Sequence, residues 1–136
     1  MASFVYNRFK YDLMKKTMDL SSDTIKVALM GSGHSTSTMF DNVWADVSAN
    51  ELAMGSGYTT GGATMAGKAV TQGTYTKWTA SDTQWTSATF TAYYAVIYDT
   101  TATDNLICSI DFGGPMIVSA GTFKLQWNTN GLITML

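Results

Sequence analysis

The hydrophobic and polar positions of this chain change their period after about twenty residues. In the first stretch Val5, Phe9 and Leu13 recur every four residues, with charged side chains between them. Such spacing places apolar side chains on one face of a helix. The pattern predicts one amphipathic helix from about residue 4 to 18. This helix either caps the sheet of its own subunit or docks on a neighbouring subunit.

From residue 24 onward the period is two, which is typical of β-strands. In residues 24–30, Ile25, Val27 and Leu29 alternate with more polar neighbours, so a half-buried strand is predicted. The same reasoning predicts further strands at residues 69–71, 74–79, 89–98, 106–112, 123–127 and 131–136. Two segments rich in Gly, Ser and Thr, residues 31–38 and 55–64, are predicted to be loops. Residues 43–47 are predicted to form one helical turn.

Two pairs of these strands are predicted to form antiparallel hairpins. Strand 89–98 precedes a polar turn and strand 106–112, in which Leu106 and Cys108 share one face and Ile107 lies on the other. Strand 123–127 precedes Asn130-Gly131, a dipeptide that readily adopts the positive φ angles of a tight turn. Strand 131–136 is therefore expected to pair back onto strand 123–127.

These elements predict a single mainly β domain over residues 1–136. Its body, over about residues 24–136, is expected to be an antiparallel β-sandwich or a barrel-like domain, preceded by the helix of about residues 4–18. No repeat of fixed period is visible, which argues against a solenoid or a propeller.

Charge is scarce for a folded domain of this size. Only 13% of the 136 residues are charged, whereas 46% are hydrophobic and an ordinary domain has roughly 25% charged residues. Thr, Ser and Gly must therefore cover much of the surface, and such a surface favours burial against other proteins. The composition predicts a domain that assembles with protein partners.

The charges are also unevenly placed. Residues 1–20 contain four basic and two acidic residues, while the rest of the chain contains four basic and eight acidic residues. Four cations, among them Arg8, Lys15 and Lys16, are too few for an arm that binds nucleic acid. We therefore expect no direct nucleic-acid binding.

Enzyme chemistry has little support in the sequence. His34 is the sole histidine and lies in a Gly- and Ser-rich loop, where it is expected to be solvated. Cys108 is the sole cysteine and lies among apolar residues, so it is expected to be buried and inert. One histidine and one cysteine cannot build the usual zinc site. We expect no catalytic site, no metal and no cofactor.

Two pairs of acidic residues suggest an alternative to the expectation of no metal site. Asp41 with Asp46, or Asp99 with Asp104, could bind a hard cation through oxygen ligands. Neither pair has the dense ligand spacing of a calcium loop. Turn-forming and helix-capping roles are favoured for Asp41, Asp99 and Asp104.

The tryptophans divide into two groups. Trp127 alternates in step with Phe123 and Leu125 and is expected in the core. Trp78 and Trp85 flank a polar turn and are candidate surface aromatics, which leaves open a glycan-binding surface.

The chain has no run of eighteen apolar residues and no signal-peptide pattern near its start. We therefore expect no membrane span and synthesis in a cytoplasm.

Seven segments, in this order, resemble a family of small virion proteins of tailed bacteriophages. They are DTIKVAL at 23–29, GYTTGGA at 57–63, KAVT at 68–71, AVIYDT at 95–100, IDFGG at 110–114, FKLQWN at 123–128 and GLI at 131–133. The resemblance implies a decoration or cement protein on the outer surface of the phage head, made in the host bacterial cytoplasm. It brings no catalytic residues.

This resemblance and the composition together predict the partners. The major capsid protein is the expected partner, and the chain is expected to form a homo-oligomer, either a trimer or a dimer. The basic helix and the glycine-rich loop are the expected contacts, because the helix is cationic and the loop can become ordered on binding. The candidate contact residues are Arg8, Lys15, Lys16, Gly57, Tyr58, Gly61 and Gly62. A tail, collar or head-to-tail connector protein and a virion-surface glycan-binding module are the alternatives.

Overall fold

The computed structural model describes residues 2–135 and shows a mainly β chain with one α-helix. The helix is α1 (Asn7–Met14), and the strands are β1 (Phe4–Val5), β2 (Ile25–Met30), β3 (Ala63–Thr64), β4 (Ala69–Gln72), β5 (Thr76–Thr79), β6 (Thr83–Asp99), β7 (Asn105–Leu125) and β8 (Ile133–Met135). Two 3₁₀ turns, Trp44–Asp46 and Ser48–Asn50, confirm the helical turn predicted for residues 43–47.

The strands form two antiparallel sheets. The larger sheet has the order β1-β7-β6-β2-β3, and the smaller has the order β4-β5-β8. The predicted mainly β, antiparallel class is confirmed. The larger sheet is open, with β1 and β3 at its edges, and does not close into a barrel.

The helix is shorter than predicted. It begins at Asn7 and ends at Met14, because Phe4 and Val5 pair with Ser109 and Cys108 of β7 as strand β1. Val5 therefore does not belong to the helical stripe to which its spacing assigned it. Phe9, on that stripe, is buried in the main hydrophobic cluster.

Both faces of the larger sheet are buried at β2. Ile25, Val27 and Leu29 lie in the main cluster, as their alternation predicts. Ala28 and Met30 point to the other face and are also fully buried. The prediction of a half-buried strand is wrong because residues 31–52 fold over this second face.

The hairpin of β6 and β7 is confirmed and is longer than predicted. It extends from the pair Asp99 and Asn105 near the turn to the pair Thr83 and Leu125 at the far end. A register shift near the turn places Leu106 in the second cluster and Cys108 in the main cluster. The expectation that Leu106 and Cys108 share one face is therefore wrong.

The last strand pairs with a different partner from the one predicted. Gly131 forms the expected turn, with its amide 2.9 Å from the Asn128 carbonyl oxygen. The chain then crosses to the smaller sheet, where Ile133 pairs with Trp78 of β5. Pairing with strand 123–127 is wrong, because that strand is already bonded to β6 as part of β7 and β5 offers the edge. Met1 and Leu136, included in the predicted domain and final strand, lie outside the described residues.

Candidate interaction surface

An apolar groove lies between α1 and the smaller sheet. Its largest cavity has a volume of about 550 Å³. Phe9 and Leu13 line it from the helix, and Val70, Trp78 and Ile133 line it from β4, β5 and β8. A concave, mainly apolar cavity of this size is typical of a binding site.

Two further cavities continue the groove along β8. One, of about 370 Å³, lies between α1 and β8 and is lined by Leu13, Met14 and Met135. The other, of about 270 Å³, lies between β1 and β8 and is lined by Val5 and Ile133. Ile133 lines all three cavities, so we treat them as one surface, called here the β8 groove.

Large apolar side chains around the β8 groove are exposed. Met14 is 90% exposed, Met135 is 58% exposed and Val70 is 50% exposed. Exposed apolar side chains grouped around a groove are characteristic of protein-binding surfaces. The groove is therefore the best candidate interaction surface on the described part of the chain.

Lys16 lines the groove, and Lys15 precedes it at the end of α1. Lys15 and Lys16 are exposed, as expected for contact residues, and neither forms an ion pair within residues 2–135. Arg8 instead lies 3.1 Å from Asp12, a buried carboxylate that also accepts a hydrogen bond from Asn105. Arg8 is thus engaged within the chain, and Lys15 and Lys16 remain the candidate contacts.

The glycine-rich loop is anchored to the sheet through Glu51. The Tyr58 hydroxyl and the Gly61 amide each donate a hydrogen bond of 2.6 Å to Glu51 Oε2. The same hydroxyl accepts from the Leu29 amide at 3.1 Å, and the Tyr98 hydroxyl donates to the Gly61 carbonyl at 2.5 Å. Burial, reinforced by the bond to Glu51, raises the pKa of Tyr58 far above its usual value.

This anchoring corrects the predicted role of the loop. Tyr58 is buried in the main cluster and cannot reach a partner in this state. Gly57 packs against Ala88, where a Cβ would come within 2.7 Å of the Ala88 Cα, and Gly62 packs against Val27. The loop is held in the free protein, so ordering on binding is not needed.

Trp78 and Trp85 are buried, so the prediction of surface aromatics is wrong. The Trp78 indole donates a hydrogen bond of 3.0 Å to the Leu20 carbonyl. The Trp85 ring lies 6.0 Å from that of Phe123 in an edge-on contact. Neither ring offers a face on which a sugar can stack. Trp127, expected in the core, is half-buried and packs against the main cluster.

His34 is buried as well, which contradicts the prediction of a solvated loop residue. Its Nε2 lies 3.2 Å from Ser109 Oγ and its ring lies 5.0 Å from that of Tyr94, because the loop folds over the second face of the sheet. Nδ1 has no hydrogen-bond partner within residues 2–135, so no described residue takes the place of the third group of a catalytic triad. Burial lowers the pKa of His34.

The other candidate chemical groups have structural roles. Cys108 is buried, as expected, and burial raises the pKa of its thiol to about 12. Asp41 accepts from the Ser37 amide at 2.7 Å, and Asp99 Oδ1 accepts from the Thr101 and Ala102 amides. The turn-forming roles predicted for these two acids are confirmed. Within residues 2–135 no three His, Cys, Asp or Glu side chains are placed to hold a metal ion.

Asp99 makes the stability of the protein depend on pH. Burial, helped by the neighbouring Asp23 carboxyl, raises the pKa of Asp99 from 3.8 to about 7. The folded state therefore holds more protons than the unfolded state between these values, and stability falls as the pH rises from about 4 to 7. Asp99→Asn retains the Oδ1 acceptor and should remove this fall in the free energy of unfolding between about pH 4 and 7.

Urea unfolding of the wild type and Asp99→Asn at pH 4.5, 6 and 8 measures the effect. The variant should gain stability relative to the wild type as the pH rises. The lowered pKa of His34 has the opposite effect, because it makes stability rise with pH below pH 6.5. His34→Gln therefore serves as the control for that residue. Parallel pH profiles for wild type and Asp99→Asn would contradict the assignment to Asp99.

No helix within the described residues is long and apolar enough to cross a membrane. No protein-family model, curated protein or solved structure matches the chain.

Proposed function

We propose that the chain is a bacteriophage capsid decoration protein that binds the outer surface of the head and stabilises contacts between major capsid subunits. The β8 groove, with exposed Met14 and Met135 at its rim, is the observation that carries the proposal. The resemblance in the seven ordered segments supplies the virion context. The proposal includes no catalytic activity, cofactor, nucleic acid or membrane.

The mechanism is burial of uncharged surface between subunits. Each 100 Å² of apolar surface removed from water contributes about 2.5 kcal/mol before the entropy of association is subtracted. Many copies, each adding a modest interface, would together resist the outward pressure of packaged DNA. The proposed homo-oligomer, a trimer or a dimer, matches the symmetry positions of a capsid.

The two sheets supply a rigid support for this surface. Trp78 of the smaller sheet and Ile97 of the larger sheet belong to one buried cluster, so in this proposal the sheets act as the two layers of a sandwich. Lys16 lines the groove and, with its sequence neighbour Lys15, would steer an acidic partner surface towards it.

Capsids assembled without the protein test this function. We expect them to lose DNA at lower temperature and under milder osmotic shock than complete capsids, and to recover when purified protein is added back. The number of copies per virion, counted by quantitative mass spectrometry, should be in the hundreds. Unchanged resistance of the depleted capsids, or a count in the tens as for a tail or connector protein, would refute the proposal.

A further inference from the structure

The two sheets present their edge strands to the same cavity. β1 is the edge of the larger sheet and β8 is the edge of the smaller sheet. The 270 Å³ cavity between them is lined by Phe4 and Val5 on one side and by Leu132 and Ile133 on the other. Because an edge strand carries unpaired backbone N–H and C=O groups, both sides of this cavity can bond to an additional strand.

A tryptophan with an unsatisfied donor lines the same cavity. The indole N–H of Trp127 is shielded from solvent and has no hydrogen-bond partner among residues 2–135. Buried polar groups without a partner are rare and call for an explanation. If the ring turns towards the cavity, a backbone carbonyl entering it would provide the missing acceptor.

The charges beside the groove define the chemistry of what enters. Lys10 lines the adjoining 370 Å³ cavity, in which none of the described lining residues is acidic. The 550 Å³ cavity is lined by Lys16 and Lys77 together with Asp19 and Asp23, so its lining carries no excess of either charge. Lys10 forms no ion pair within the described residues. The other lining groups of the 370 Å³ cavity are mainly apolar, so this end of the groove is complementary to an apolar segment flanked by an acidic residue.

We propose that an extended, apolar segment of the major capsid protein, with an acidic residue at one end, inserts between β1 and β8 and pairs with both. The inserted strand would join the two sheets into one, in the order β3-β2-β6-β7-β1-insert-β8-β5-β4. This inference rests on the proposed function for the source of the strand. Alternate side chains of the insert enter the β8 groove, and one of its carbonyls accepts from the Trp127 indole.

Three variants probe the groove in a binding assay with capsids assembled without the protein. Met14→Lys and Met135→Lys place a charge at exposed groove positions, and Trp127→Phe removes the unpaired donor while keeping an aromatic ring. We expect the two lysine variants to bind at least tenfold more weakly than the wild type and Trp127→Phe about fivefold more weakly. Thermal unfolding of each variant verifies that its fold is retained.

The matched control is Ile117→Lys. Ile117 is 74% exposed and lies on β7, and it lines none of the three groove cavities. This variant carries the same added charge at an equally exposed apolar position. It should bind capsids as tightly as the wild type does.

Hydrogen exchange of the capsid-bound protein tests the strand pairing itself. We expect slower amide exchange at residues 3–5 and 132–135 on binding, because both edges become hydrogen-bonded. If the protein binds capsids but neither edge is protected, or if Met135→Lys binds like the wild type, the inserted strand is ruled out and the proposed function stands. If the wild type does not bind capsids at all, the proposed function fails and the inference fails with it.

Discussion

Trp78→Ala is expected to lower the free energy of unfolding by about 3–5 kcal/mol, the usual range for an aromatic residue removed from a core. Trp78 is 2% exposed, and its indole bonds to the Leu20 carbonyl. It lies on β5, the central strand of the smaller sheet, where it pairs with Val70 on one side and Ile133 on the other. The substitution therefore leaves a cavity at the point where the smaller sheet meets the larger one.

Two controls divide this effect into its parts. Trp78→Phe keeps most of the apolar contact but leaves the Leu20 carbonyl without its donor, which should cost about 1–3 kcal/mol. Val70→Ala changes the half-exposed neighbour in the same register and should cost less than either. Chemical denaturation measures all three variants. A loss below about 1 kcal/mol for Trp78→Ala would show that the tryptophan does not join the sheets.

Gly62→Ala is expected to destabilise the protein by about 2–5 kcal/mol. Gly62 has φ +86°, a conformation that costs a residue with a side chain about 1–2 kcal/mol. A Cβ at this position would also overlap the Val27 carbonyl and come within 2.7 Å of the Ala28 Cα. Overpacking against a backbone that cannot move freely adds about 1–3 kcal/mol.

Gly55→Ala separates the two contributions to this loss. Gly55 also has a positive φ, of +117°, but a Cβ there would meet no atom within 4 Å. This variant should therefore show the conformational cost alone, and its free energy of unfolding should lie above that of Gly62→Ala. Equal losses for the two variants would mean that close packing against β2 does not contribute.

The local pattern of the sequence predicts where the strands lie better than it predicts which strands pair with each other. The alternation of Ile25, Val27 and Leu29 correctly indicated one buried face of β2. Nothing in that alternation shows that residues 31–52 return to cover the other face, because this depends on the path of the chain after the strand. The Asn130-Gly131 turn was predicted, but the partner of β8 depends on which edge is free in three dimensions.

The predicted contact residues and surface aromatics also divide into those that local sequence could place and those that it could not. Lys15 and Lys16 are exposed as predicted, since solvated charges follow from composition and helix position. Tyr58 and Trp78 are buried, because contacts distant in sequence enclose them: Glu51 and Leu29 bond to the first and Leu20 to the second. The β8 groove could not be predicted, since it exists only where the two sheets and the helix meet.

The pairing of β1 with β7 has a consequence for the order in which the protein folds. β6 and β7 are joined by a short turn, whereas Ser3 bonds to the Asp111 amide across 108 positions of the chain. Closing the longer loop costs more entropy, so β1 should join a sheet that has already formed. An edge strand that is added last is also the first to detach in local unfolding. The side of the groove formed by β1 could thus open transiently while the rest of the sheet stays folded.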